Sequence, residues 1–243
     1  MNTTIKKNIF SNIAFKILSE RDAWQPIGES FIRKGCSGQV FHFSNQFIIK
    51  LFQFNTDMPP IISWWEQEHQ ALEKLAGRLG SPLTHGYIKF EHEGFTTFVL
   101  VREMVEGQTL QALGYPILNE AQCREAGTLL ANLHNSGIVT RDCHPDNLLL
   151  NNQKELCFID FGNAHMYSYK SSGFLIRAAR DLTKAQFRCA ELEPSLSKEM
   201  ENAYLKTLNI NTISYGVWHI MKKIMVMHQA FRTMRRNYIK AKS

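Results

Sequence analysis

Asp142, Asn147 and Asp160 stand out in TRDCHPDNLLLNNQKELCFIDFG, residues 140–162, as two carboxylates and an amide in one short stretch. Between Asn147 and Asp160 run Leu148, Leu149 and Leu150, then polar Asn151-Asn152-Gln153-Lys154, then Leu156, Cys157, Phe158 and Ile159. An apolar–polar–apolar run of that length predicts a β-hairpin. A hairpin returns the chain to its start, so the three oxygen-bearing side chains are expected to converge. Such a set suits a hard cation with oxygen ligands, typically Mg²⁺ holding phosphates.

The elements that must position this site come from both sides of it. Residues 39–43 and 47–52 are β-rich and flank Ser44-Asn45-Gln46, which predicts a hairpin. Gly35 and Gly38 precede it, and glycines let backbone N–H groups approach a phosphate closely. Lys50 interrupts the apolar run of the second strand, and a charge in a half-buried strand needs a partner. Glu68 is the best candidate. In SWWEQEHQALEKLAGRLG it shares a helix face with Leu72 and Leu75, whereas Glu66 and Glu73 fall elsewhere. Pro59-Pro60 mark the entry to that helix. Residues 95–105, FTTFVLVREMV, form another strand, broken by Glu106-Gly107. Residues 119–135 carry Ala121, Ala126, Leu129, Leu130 and Leu133 at near-helical spacing, with Gly137 as a stop.

The bulk numbers narrow the class. With 243 residues, 44% of them hydrophobic, the chain supports one or two domains with a real core. Its five cysteines form no C-x-x-C, which argues against a disulfide framework or a zinc site and fits a reducing compartment. No run approaches the roughly 20 apolar residues of a membrane span. The opening MNTTIKKNIFSNIAFKIL is a poor secretion signal and reads as an amphipathic helix or strand. A cytoplasmic protein is expected. The net charge of +6 is uneven: after Glu201 there are eight Lys and Arg and no acid.

Arg141-Asp142, Pro145, Asn147 and Asp160-Phe161-Gly162 resemble the catalytic loop and metal loop of the protein-kinase-like superfamily. The resemblance covers roughly residues 30–185. It implies an α+β, minimal two-lobe fold: an antiparallel-sheet N-lobe over 1–105 and a mainly helical C-lobe over 106–243, with ATP between them. It also implies roles. Asp142 orients the acceptor hydroxyl and takes its proton; Asn147 and Asp160 hold Mg²⁺ on the ATP phosphates. Lys50 contacts the phosphates and pairs with Glu68. Gly35 and Gly38 belong to a glycine-rich loop whose first glycine is replaced by Arg33. Val40 lines the apolar slot, and adenine bonds main-chain groups near Glu103 and Val105. Arg102 departs from the pattern, standing where an apolar gatekeeper is usual; it is expected to reach an acid unless the register is shifted by one. Thr140 stands where the family most often has His.

The acceptor is read from what differs. Conventional Ser/Thr kinases carry Lys two residues after the catalytic Asp; here it is His144, as in aminoglycoside phosphotransferases and some sugar kinases of this fold. Either form of a histidine donates to phosphate. No Ala-Pro-Glu follows Gly162. Arg180-Asp181-Leu182 resembles the small bacterial lipopolysaccharide-core kinases that phosphorylate Kdo or heptose, with Asp181 expected to cap its helix and bond the catalytic-loop backbone. The expectation is phosphate transfer from ATP to a sugar hydroxyl of lipopolysaccharide inner core. The rivals are a RIO-type serine/threonine protein kinase, an aminoglycoside-type phosphotransferase, and a pseudokinase binding module. Trp218, Met221, Ile224, Met225, Phe231, Met234 and Tyr238 can line one helical face among basic residues. Residues 218–243 therefore suit a peripheral contact with the anionic inner membrane, the alternative being a helix packed on the core. No motif supports a nucleic-acid partner.

Overall fold

The computed structural model describes residues 4–33, 36–55, 63–114, 118–168, 171–189, 193–209, 215–227 and 231. Gly35 and Pro59-Pro60 lie outside them. The chain divides into two units, 1–106 with 159–162, and 107–158 with 163–243.

The first unit is built on a six-stranded antiparallel sheet. Its strands are β1 (Thr4–Phe10), β2 (Gln25–Arg33), β3 (Cys36–Phe43), β4 (Phe47–Asn55), β5 (Thr84–His92) and β6 (Phe95–Glu103), in the order β1-β5-β6-β4-β3-β2. Ser44 and Asn45, both at positive φ (48° and 53°), turn β3 into β4. Two successive left-handed residues give a turn whose twist matches the flanking strands.

Side chains of a strand alternate between faces, and here each face has its own helix. Ile49, Val99 and Val101 pack with Ala14 and Ile17 of α1 (Asn12–Ser19). Phe52, Phe54, Phe98, Leu100 and Tyr87 form the other cluster. On that side, His69 of α2 (Ser63–Leu75) meets Tyr87 edge-on at 4.9 Å. Lys50 pairs with Leu100 and Ile48 with Arg102 across β4 and β6. Strand parity therefore sends the Lys50 and Arg102 side chains to the α2 side.

The second unit is mainly helical. Its strands are β7 (Gly107–Thr109), β8 (Ile138–Val139), β9 (Leu148–Asn151), β10 (Leu156–Phe158) and β11 (His165–Met166), forming a β10-β9-β7 sheet and a β11-β8 pair. The expected hairpin is β9–β10, with Leu150 opposite Leu156. Around these strands stand α3 (Glu120–Asn135), α4 (Ser172–Cys189) and α5 (Pro194–Thr207), and residues 215–227 are helical. Asn119 and Gln122 close α3 with a reciprocal capping box.

Gly127 lets α3 and α5 approach: a Cβ there would lie 2.1 Å from the Met200 carbonyl oxygen. That neighbour is backbone and cannot swing aside. Gly127→Val is expected to destabilise the protein at the upper end of the ~1–3 kcal/mol range for overpacking. An unchanged urea midpoint would show that the helices part freely.

Two expectations need correction. Asp181 lies in the middle of α4, not at its start, so it is no helix cap. The apolar residues from Trp218 onward do not share one face. Trp218 is buried and stacks on Tyr204 at 5.6 Å, while Ile224 and Phe231 are exposed. Six residues span about 1.7 helical turns, so Trp218 and Ile224 point in different directions. Met234 and Tyr238 lie outside the described residues. No helix among the described residues is long and apolar enough to cross a membrane.

Candidate active site

In the first unit Lys50 is the centre of a buried charge cluster. Its Nζ donates to both Glu68 carboxylate oxygens, at 2.8 and 2.9 Å, and to Asp160 Oδ1 at 3.2 Å. Glu68 is 1% exposed, held inward on the same face as Leu72 and Leu75. Arg102 joins from β6, with Nε 3.7 Å from Glu68 Oε1. Arg102 does reach an acid. Two cations face two carboxylates, so the cluster is neutral where a lone buried charge would cost several kcal/mol.

The environment tunes these groups in opposite directions. Burial raises the Glu68 carboxyl above its ordinary range, against the pull of Lys50 and Arg102. Burial also lowers the Arg102 guanidinium, against the pull of Glu68 and Asp160. Asp160 is different. Burial would raise it, yet Lys50, the Gly162 N–H at 2.8 Å and Arg102 together hold it below the ordinary carboxylate range. Its side chain nevertheless keeps 45% of its surface open, so that desolvation is partial and the pull of its partners prevails.

Several residues assigned to nucleotide binding also lie here. Val40 stands opposite Lys50 across β3 and β4, and Gly38 is buried. The main-chain N–H of Glu103 is committed to the Leu83 carbonyl at 2.8 Å, and its carbonyl already accepts from Arg102 Nη1 at 3.1 Å. A carbonyl has two lone pairs, so Glu103 retains one acceptor position and no donor. Val105 is half-buried.

In the second unit the loop after β8 holds Asp142, His144 and Asn147. Asp142 Oδ2 accepts from Asn163 Nδ2 at 3.1 Å. The Asp142 carbonyl accepts from the His144 N–H at 2.8 Å and from Asn147 Nδ2 at 3.0 Å. A carbonyl only accepts, so the Asn147 nitrogen must face it and the amide oxygen is turned the other way. His144 Nδ1 lies 2.8 Å from Asp146 Oδ1, which orients the ring.

This loop is anchored from α4. Asp181 Oδ2 accepts from Thr140 Oγ1 at 2.9 Å and from the Arg141 N–H at 3.0 Å. Lys184 Nζ donates to the Arg141 carbonyl at 2.6 Å. Arg141 has φ +61°, a left-handed conformation that costs a non-glycine residue about 1–2 kcal/mol. Holding its backbone from both sides keeps that conformation, and with it the setting of Asp142. Asp181→Ala is expected to lower stability by about 3 kcal/mol, since two hydrogen bonds to a charged acceptor are lost. Lys184→Ala, at an exposed contact, should cost no more than about 1 kcal/mol. Equal urea midpoints for the two variants would overturn this ranking.

The residues divide between the units: Lys50, Glu68 and Asp160 in one, Asp142, His144 and Asn147 in the other. Two participants were not anticipated. Lys184 lies three residues after Asp181, a same-face spacing that points to a shared target. Asn163 follows Gly162 with no pattern to mark it.

Mg²⁺ needs one or two carboxylates plus substrate phosphates, not a protein cage. No cluster of three His, Cys, Asp or Glu suited to a metal occurs among the described residues. An accessible, ionised Asp160 and an Asn147 amide with a fixed orientation are the donor types such an ion takes.

Residues 78–191 match the family described as the ABC1 atypical kinase-like domain. The matched stretch is similar to a protein-kinase-like domain. Over 109 residues it is 30% identical to serine/threonine-protein kinase PKH2 of Candida albicans, a match covering 43% of this chain and 11% of that one. The crystal structure of WbdD aligns with a TM-score of 0.44 and 17% identity, over 83% of this chain and 51% of WbdD. The chain thus spans only part of the length of each.

Proposed function

We propose that this protein transfers the γ-phosphate of ATP to a hydroxyl group, and that the acceptor is a sugar of lipopolysaccharide inner core. The observation that carries the kinase reading is the three-way contact of Lys50 with Glu68 and Asp160. An ammonium group held by a buried carboxylate is a fixed donor for phosphate oxygens. Asp160 and Asn147 are the residues for Mg²⁺, which when bound neutralises charge on the phosphates. Asp142 takes the acceptor proton as the new oxygen–phosphorus bond forms and the bond to the bridging oxygen breaks, releasing ADP. His144, oriented by Asp146, supplies a further donor to the transferred phosphate.

The sugar reading is supported by His144 in place of lysine and by the stretch around Asp181. A second reading, transfer to protein serine or threonine, is supported by the similarity to the Candida kinase. Incubation of the protein with labelled ATP, inner-core saccharide lipid and a protein acceptor separates the two. Label is expected on the Kdo- or heptose-bearing lipid and absent with Asp142→Ala. Label on protein alone would replace the sugar reading with the second one, and Asp142→Ala retaining full transfer would overturn both.

A further inference from the structure

The helix over 215–227 has two apolar faces. One is used. Trp218 is fully buried against Tyr204, and Lys222 is drawn to the same side, ion-paired with Glu201 and 5.7 Å from the Trp218 ring centre. The other face is not. Ile220, Ile224, Met227 and Phe231 are 59%, 47%, 73% and 63% exposed. Ile220, Ile224 and Met227, spaced by four and three residues, stand in one stripe of this helix. A single exposed isoleucine needs no explanation, but an aligned row of three large apolar side chains, with Phe231 exposed beyond it, does.

We propose that this stripe seats the protein on an anionic lipid bilayer. Charge decides the occupant. From residue 215 onward the chain holds seven Lys and Arg and no acid. Lys223, exposed, lies between Ile220 and Ile224 in sequence. A second copy of this chain would bring one all-cationic segment against another, with no acid in either to offset the repulsion. A bilayer of negative headgroups offsets it and also takes up the apolar stripe. An apolar row in a strongly basic segment lies in the plane of such an interface, sinking its large side chains among the acyl chains. Trp218 anchors the helix to its own unit, which leaves the stripe outward. The inference does not rest on the phosphotransfer reading.

Flotation of the full chain with vesicles tests it. Strong binding is expected to phosphatidylcholine vesicles containing phosphatidylglycerol, and little to phosphatidylcholine alone, with binding falling as salt is raised. The double variant Ile224→Glu/Phe231→Glu should lose at least about tenfold in partitioning. Both side chains are exposed, so its circular-dichroism melt should match the parent's. Lys223→Glu should weaken binding several-fold with the same melt. Unaltered vesicle binding by the double variant would overturn the proposal, as would equal binding to the neutral vesicles. So would a parent dimer, seen by sedimentation, that the double variant converts to monomer without any lipid binding.

Discussion

Lys50→Met is expected to abolish phosphate transfer, by about 10³-fold or more, while leaving the protein folded. The loss follows from removing the one ammonium that joins Glu68 to Asp160. The retained fold follows from Arg102. A carboxylate that is 1% exposed and stripped of its only cation would cost about 3–5 kcal/mol. Here Arg102 Nε remains 3.7 Å from Glu68 Oε1 and carries the opposing charge. Lys50→Met and Arg102→Met should each lower stability modestly. The double variant should fall below the sum of the two by about 1–3 kcal/mol, since neither cation then faces Glu68. Urea unfolding of the four proteins measures this coupling. Strict additivity would mean that Arg102 does not stand in for Lys50, and that its place beside Glu68 is incidental.

Asp160→Asn is expected to reduce Mg-ATP-dependent transfer by roughly 10³-fold. Mg-ATP, which should raise the melting temperature of the parent, should no longer do so. The neutral amide keeps the size of the side chain but gives the cation no charge. The same variant carries a pH signature independent of activity. The folded Asp160 carboxyl lies below the ordinary range, so its contribution to stability is present above the unfolded value of about 3.9 and is lost as pH falls through the folded value. Asp160→Asn should therefore be less stable than the parent at neutral pH, with the gap closing in strong acid. A gap that widened as pH fell would contradict the Lys50–Asp160 contact. Full Mg-ATP-dependent activity in the variant would remove Asp160 from the metal site.

Much of this was legible in residue order because it depends on local periodicity. Glu68, Leu72 and Leu75 share a face in any α-helix, and side chains two apart share a face in any strand. The apolar–polar–apolar run after Asn147 closes as β9–β10 by the same local logic. Loop motifs, too, are contiguous and announce themselves.

What periodicity could not supply is the partner on the far side of each contact. Arg102 is expected to meet some acid, but only the register of β6 against β4 sets it on the same sheet face as Lys50 and so names Glu68. Asp181 caps nothing, since it stands mid-helix, while its expected bond to the loop backbone is made at Arg141. The apolar residues from Trp218 onward read as one face, but Tyr204 claims Trp218 and leaves Ile220, Ile224, Met227 and Phe231 outward. The residue order determined which side chains each element aligns, because backbone dihedrals fix that within a few residues. The tertiary structure alone decided which of those aligned groups meet, because that turns on segments tens of residues apart arriving at one place.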